Sequence, residues 1–366
     1  MDKLRLLFVD DEETDVNPAL RRLKGTGAEC RHIQDFDAAI DQVTTILPDM
    51  VILDLVAGDP SEGEDEGSSV FAKIWERRFC PIIFFSARLD ILSDTRADHP
   101  FIRQIKKGPG GVERLMNAIA ELRPHAAAMR TAEDFVLRKA AEALRDVATY
   151  AFRVHAADEK ARDDAIIRSG RRRLAALMDN LSAVGGALAS WEQYVIPPVS
   201  EHAQLGDILR KATATSEDPT AFRLVLTPSC DLVATKDRAP KVKSVLVARC
   251  CPPKKGIAQC SWGKAKANKL GDKIKSMMLR QGYCEGFVPL AGVKDHIPTM
   301  MADLRDLRLI PFRQIGAEGR GGYVRIASLD SPFRELIAWA YMQSACRPGL
   351  PDRDYDAWWK EIENLL

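Results

Sequence analysis

An acidic stretch, Asp10-Asp11-Glu12-Glu13, follows directly on the apolar run Leu4–Val9, and another acid, Asp54, follows the run Met50–Leu53. A hydroxyl, Ser86, closes a third apolar run, Pro81–Phe85, and Lys106-Lys107 closes a fourth, Phe101–Ile105. Brought together, two or three carboxylates repel one another unless a hard divalent cation, Mg²⁺ being the best fit, sits between them. Such an ion orients and neutralises an incoming phosphoryl group, so that one carboxylate can attack phosphorus and become an aspartyl phosphate. A hydroxyl and an ammonium then suit the remaining phosphoryl oxygens.

These residues work together only if the fold gathers them. Near-continuous apolar runs read as buried parallel strands. Between them lie helical patterns at Asn17–Leu23, Phe36–Ile46, Ser69–Arg78 and Val112–Leu122. Strands alternating with helices of this length predict an α/β, doubly wound parallel sheet. Functional groups of such sheets collect at the carboxyl ends of the strands. That places Asp10, Asp11, Asp54, Ser86 and a lysine on one rim.

With these elements in this order, residues 1–124 resemble the receiver domain of two-component response regulators, a five-stranded flavodoxin-like fold. The resemblance implies that Asp10 and Asp11 are the acidic pair, Asp54 the phospho-acceptor and Ser86 the switch hydroxyl. It implies a Mg²⁺ site formed by Asp10, Asp11, Asp54 and the backbone carbonyl of Val56, and a weak second strand near Glu29–Ile33. For the phosphate-contacting lysine, Lys107 is preferred because Ile105 then points inward, with Lys106 as the alternative. The implied partner is a sensor histidine kinase or a phosphotransfer protein. Three features depart from the family pattern. Lys107-Gly108-Pro109 stands where Lys-Pro is expected, with a cis peptide after the lysine. Gln104 stands where an aromatic switch residue is expected, Phe101 being a loose substitute. The loop after Asp54 is long, with five acids between Asp59 and Glu66, and reads either as a solvated insertion or as a docking or metal-tuning element.

From His125 to about Glu192 there is no proline, and alanine, leucine and arginine dominate, so residues 125–198 read as a helical linker. Val136, Ala140, Ala143, Val147, Tyr150 and Val154 form one heptad-spaced seam, and Ile167, Gly170, Leu174, Leu177, Leu181, Val184 and Leu188 another. Such seams suit a coiled coil or helical hairpin, hence a homodimer, or else packing on the flanking domains. Arg171-Arg172-Arg173 reads as a solvated helix face.

Residues 199–366 change character. Phe222–Thr227, Val242–Arg249, Leu307–Phe312 and Gly322–Ile326 read as short strands. Pro332–Ser344 reads as a helix capped by Ser331, followed by a shorter helix carrying Trp358 and Trp359. The expectation is a mixed α+β output domain, a small mixed sheet or barrel closed by C-terminal helices. Lys236–Arg280 holds 13 basic residues against Asp237 and Asp272, a local excess of +11. A run of this kind can hold nucleic-acid phosphates by counterion release or dock on an acidic protein surface, the Asp59–Glu66 loop included. Cys230, Cys250, Cys251, Cys260 and Cys284 lack paired zinc spacing, and His296 is the one histidine near them, so they read as free thiols. Cys230, next to Asp231 after a strand, is a candidate nucleophile without an evident base.

Composition sets the outer limits. With 366 residues, two or three domains are expected. Hydrophobic residues at 46% and charged residues at 29% are those of a folded chain, not a disordered one. A formal net charge of +1 excludes a uniformly basic nucleic-acid binder. No apolar run reaches the roughly 20 residues of a membrane span, the N-terminus lacks a signal-peptide core, and the cysteines form no secreted framework. A cytoplasmic response regulator is therefore expected. The competing classes are a receiver-controlled effector enzyme and a phosphate sink or scaffold with a protein-binding output.

Overall fold

The computed structural model describes residues 3–56, 66–92, 99–179, 187–234, 238–260, 271–272, 274–317, 319, 321–346 and 353–366. The chain divides into two compact units, Met1–Gly185 and Gly186–Leu366.

In the first unit, strands β1 (Arg5–Val9), β2 (Glu29–Ile33), β3 (Met50–Leu53), β4 (Ile82–Ser86) and β5 (Ile102–Lys106) form one sheet in the order β2-β1-β3-β4-β5. Every neighbouring pair is parallel. Side chains alternate across the sheet. Leu7, Val9, Val51, Leu53, Ile82 and Phe84 pack on α2 (Phe36–Ile46) and α3 (Glu66–Arg77). Leu6, Phe8, Ile52, Ile83 and Phe85 pack on α1 (Glu13–Lys24) and the start of α4 (Gly111–Val154). This period-two division makes both faces apolar and explains why the strands read as continuous hydrophobic runs. Between β4 and β5 the described residues contain only a 3₁₀ turn, Leu89–Ile91.

The helix expected at Val112–Leu122 does not stop there. Pro124 lies inside α4, which continues to Val154. An interior proline costs roughly 3 kcal/mol of helix stability, and tertiary contacts on both sides of it oppose that cost. Leu122 and Ala126 are buried in the same core. Beyond them Arg130 pairs with the fully buried carboxylate of Asp49, which also accepts from the backbone N–H of Arg5 at 2.7 Å. Glu133 pairs with Arg78 at 2.9 Å. The helix is thus tied to the amino-end edge of the sheet well past position 124.

The continuous helix expected after His125 is interrupted at His155–Asp158, where Asp158 accepts from the N–H of Ala161 at 2.9 Å and caps α5 (Glu159–Met178). Helices α4 and α5 pack as a hairpin. Ala143 and Gly170 are buried in it, and a Cβ on Gly170 would come within 2.9 Å of Leu144.

In the second unit, β6 (Tyr194–Val195), β7 (Asp207–Lys211), β8 (Phe222–Val225), β9 (Ser244–Cys251), β10 (Phe287–Leu290), β11 (Met300–Pro311) and β12 (Tyr323–Leu329) form a sheet ordered β10-β11-β9-β8-β7-β12-β6. Its strand pairs are all antiparallel, so the sheet is not mixed as expected: hairpin-type returns replace helical crossovers. Short helices α6 (Ser229–Leu232) and α7 (Pro253–Gln259) and a π-helical turn, Ile274–Leu279, lie between the strands. Helices α8 (Phe333–Ala345) and α9 (Tyr355–Glu363) follow them; Pro332, not Ser331, precedes α8 as its cap.

Candidate functional site

The parallel register carries four of the expected residues to one rim. Asp10 follows β1 and donates its N–H to Ile33 O at 3.1 Å; Asp54 follows β3 and donates to Val9 O at 2.9 Å. Ser86 ends β4, and Lys107, just past β5, donates its N–H to Ser86 O at 2.9 Å. Asp10, Asp54 and Ser86 are buried, and Asp11 is half-buried.

Asp10, Asp11 and Asp54 each offer a carboxylate oxygen, and these atoms lie within 4.8 Å of one another. The Lys107 ammonium reaches into this group, 2.8 Å from Oδ2 of Asp10 and 2.5 Å from Oδ2 of Asp54, and also 2.8 Å from Oδ2 of Asp15. Oδ1 of Asp54 accepts from the Leu55 N–H at 2.6 Å, so the two oxygens of this carboxylate are differentiated. Oδ1 of Asp10 accepts from the Glu12 N–H at 3.1 Å. Burial pushes the Asp10 carboxyl up to about 6, against the opposing pull of Lys107. For Lys107, burial disfavours the charge, but the carboxylates of Asp10, Asp15 and Asp54 outweigh it and hold the ammonium above the ordinary lysine range.

Lys106, the alternative lysine, is exposed, and its carbonyl accepts from Arg114 at 2.9 Å. The Ser86 hydroxyl accepts from the Arg88 N–H at 3.2 Å. Val56 is buried two residues beyond Asp54. Gln104 is exposed, while Phe101 stacks with Phe79, His99 and His125. Among the described residues the cis peptides are Ile196–Pro197 and Ser331–Pro332, and neither Lys107–Gly108 nor Gly108–Pro109 is cis. The hard oxygen donors at this rim are the kind Mg²⁺ takes, and Lys107 lying among them marks a place where positive charge is favoured.

Three residues of this site escaped the sequence reading. Asp15 completes the grip on Lys107 from the first turn of α1; its signal was a further acid five residues after Asp10. His32 bonds through Nε2 to Asp10 O at 2.7 Å. Gly67 donates its N–H to Leu55 O at 3.1 Å, and a Cβ there would stand 2.4 Å from both Asp54 O and Leu55 Cα. Only glycine lets α3 approach the Asp54–Leu55 backbone so closely.

The other candidates are placed differently. Of the acidic loop, residues 59–65 lie outside the described residues, as do 236–237, 261–270 and 273 of the basic run. The described part of that run is no single surface. It passes through β9, whose Val245, Val247, Ala248 and Cys250 are core, and Arg249 and Lys241 are paired with Asp306 and Asp231. Lys254 and Lys255 are exposed on α7. Burial pushes Cys250 up to about 12 and Cys260 up to about 11. Cys230 is exposed, 3.6 Å from an Asp231 oxygen that also pairs with Lys241 at 3.1 Å. Among the described residues, the acidic triad is the one cluster of three or more metal-ligating groups. In the helical region, Leu181 and Val184 lie outside the described residues; Arg173 pairs with Asp146, and Arg171 and Arg172 are exposed. Among the described residues, no helix is long and apolar enough to cross a membrane.

Sheet order, parallel pairing and the rim of acids with a lysine define a receiver fold with an acidic pocket. No protein-family model and no curated protein matches the sequence. Solved structures do match its N-terminal part. One is the N-terminal domain of a response regulator/sensory box/GGDEF protein from Carboxydothermus hydrogenoformans, at 19% identity over 34% of this chain and 98% of that one, TM-score 0.29. The signal receiver domain of a putative LuxO repressor from Vibrio parahaemolyticus matches at 19% identity over 36% and 98%, TM-score 0.31. The response regulator TrrA of Thermotoga maritima, in complex with Mg²⁺-BeF, matches at 22% over 32% and 98%, TM-score 0.27.

Proposed function

We propose that this chain is a response regulator that accepts a phosphoryl group on Asp54 from a sensor histidine kinase or phosphotransfer protein. What supports this reading most is one observation: Asp10, Asp11 and Asp54 converge within 4.8 Å beside the Lys107 ammonium. With Oδ1 of Asp54 held by the Leu55 N–H, Oδ2 is the oxygen that attacks. Its bond to phosphorus forms as the bond from phosphorus to the donor's nitrogen breaks, and the departing imidazole takes up a proton. Lys107, already at Oδ2, follows the incoming charge onto a phosphoryl oxygen, and the Ser86 hydroxyl takes another. Asp10, Asp11, Asp54 and the Val56 carbonyl are the groups that would hold Mg²⁺, which when bound neutralises the carboxylates and orients the phosphoryl oxygens.

In this reading α4 carries the signal. It begins four residues after Lys107, where Gly111 abuts Phe85 and the Lys106 carbonyl, and it ends in the hairpin. The hairpin supports a homodimer: Tyr150, Val154 and Ile167 remain 69–73% exposed on it. The second unit is the output. The test is to incubate the full chain with acetyl phosphate, with and without Mg²⁺, and weigh it intact. One phosphoryl adduct that requires Mg²⁺ is expected; an unmodified chain under both conditions refutes the proposal.

A further inference from the structure

The second unit contains a cavity of about 710 Å³, within the range of small-molecule sites. Its floor is the apolar sheet face, Leu290 and Met300, with Ile337 of α8. Its walls are Met278 and Leu279 of the π-helical turn and Leu336 of α8. The wall is built with care. Gly282 sits at φ +82°, a conformation L side chains rarely adopt, and a Cβ there would come within 2.1 Å of the Leu336 Cδ2, so glycine suits the chain where it closes on α8 after the π turn. π-helical turns are rare and concentrate at functional sites. Leu279 is 62% exposed and Leu188 46% exposed among the lining residues, apolar surface that an occupant would cover.

Polarity and charge specify the occupant. Among the described residues the lining includes three neutral polar side chains, Ser190, Gln193 and Thr299, one charged residue, Arg280, and no acid. Among the described residues no ion pair engages Arg280, which is exposed. A guanidinium is built to take a carboxylate through two parallel N–H···O bonds. An apolar lining with an arginine at its rim fits a molecule with an apolar body and an anionic head.

We propose that this cavity binds a linear alkyl carboxylate, its chain lying along the apolar walls and its head group on Arg280. The site would make the second unit a receptor for an amphipathic acid, whatever happens at Asp54. The test is calorimetric titration of the full chain with dodecanoate below its micelle concentration, beside dodecanol and dodecyltrimethylammonium. Dodecanoate is expected to bind saturably, one per chain, and at least ten-fold more tightly than either analogue. Arg280→Gln should weaken dodecanoate at least ten-fold and leave dodecanol unchanged. Ala189→Trp, at an exposed lining position, should block both, and Leu188→Asp, also exposed, should repel the acid more than the alcohol. Absence of saturable binding by the wild-type chain would overturn the proposal. So would equal affinities for acid and alcohol, or undiminished dodecanoate binding in Arg280→Gln and Leu188→Asp.

Discussion

The Lys107 ammonium stands 2.5 Å from Oδ2 of Asp54, bridging positions 53 residues apart. Oδ2 is also the oxygen left over once the Leu55 N–H has taken Oδ1. One lysine therefore neutralises the carboxylate pocket and contacts the Asp54 oxygen that the Leu55 amide leaves open. Its three carboxylate partners come from three segments, so the rim is held together through a single charge.

Removing that charge should be costly. Lys107→Met leaves Asp10 and Asp54 buried and facing each other, and deleting one partner of a buried ion pair costs roughly 3–5 kcal/mol. Urea unfolding in EDTA should show a loss of that order, and added Mg²⁺ should restore part of it. A variant as stable as wild type in EDTA would mean that Lys107 does not neutralise the pocket.

Gly67→Ala tests how closely α3 approaches the Asp54–Leu55 backbone. Its methyl must displace either the Asp54–Leu55 backbone or the start of α3, an overpacking that costs about 1–3 kcal/mol. Lower thermal stability and slower phosphorylation should appear together. Unchanged melting would show that the close approach at Gly67 is not a constraint.

Arg130→Met tests the anchoring of α4 past Pro124. Asp49 keeps Arg5, so the expected loss is about 1–3 kcal/mol rather than that of an orphaned charge. Denaturant unfolding measures it, and a change below a few tenths of a kcal/mol would show that the helix is not held there.

Tyr150→Glu combined with Ile167→Glu should convert a dimeric full chain into a monomer by light scattering. A wild-type chain that already scatters as a monomer, with or without phosphate, would leave the hairpin as an internal element only.

The receiver fold was readable because its signals are local. Apolar runs end in acids, a hydroxyl or a lysine, and α2 runs from Phe36 to Ile46 as its pattern predicts, with Asp35 capping it. Position in the fold was harder to read. Pro124 looks like a helix end, yet Ala126, Arg130 and Glu133 hold α4 together from outside the helix. The interruption at His155–Asp158 carries neither proline nor glycine. β10 contains Pro289, which argues against a strand in the middle of a sheet but is tolerated here because β10 is an edge. β6 and β7 escaped as well, β6 because two residues carry no period. In the site, Gly67 had no chemical signal, since its role is the side chain it lacks. The cavity beside Arg280 was illegible because its walls come from segments far apart in the chain.

The account rests on Asp54 being the acceptor, and the most direct measurement is the intact mass of wild-type and Asp54→Asn chains after acetyl phosphate and Mg²⁺. The account predicts one phosphoryl adduct on the wild type and none on the variant, with both chains folded by circular dichroism. An adduct of equal yield on Asp54→Asn would contradict it.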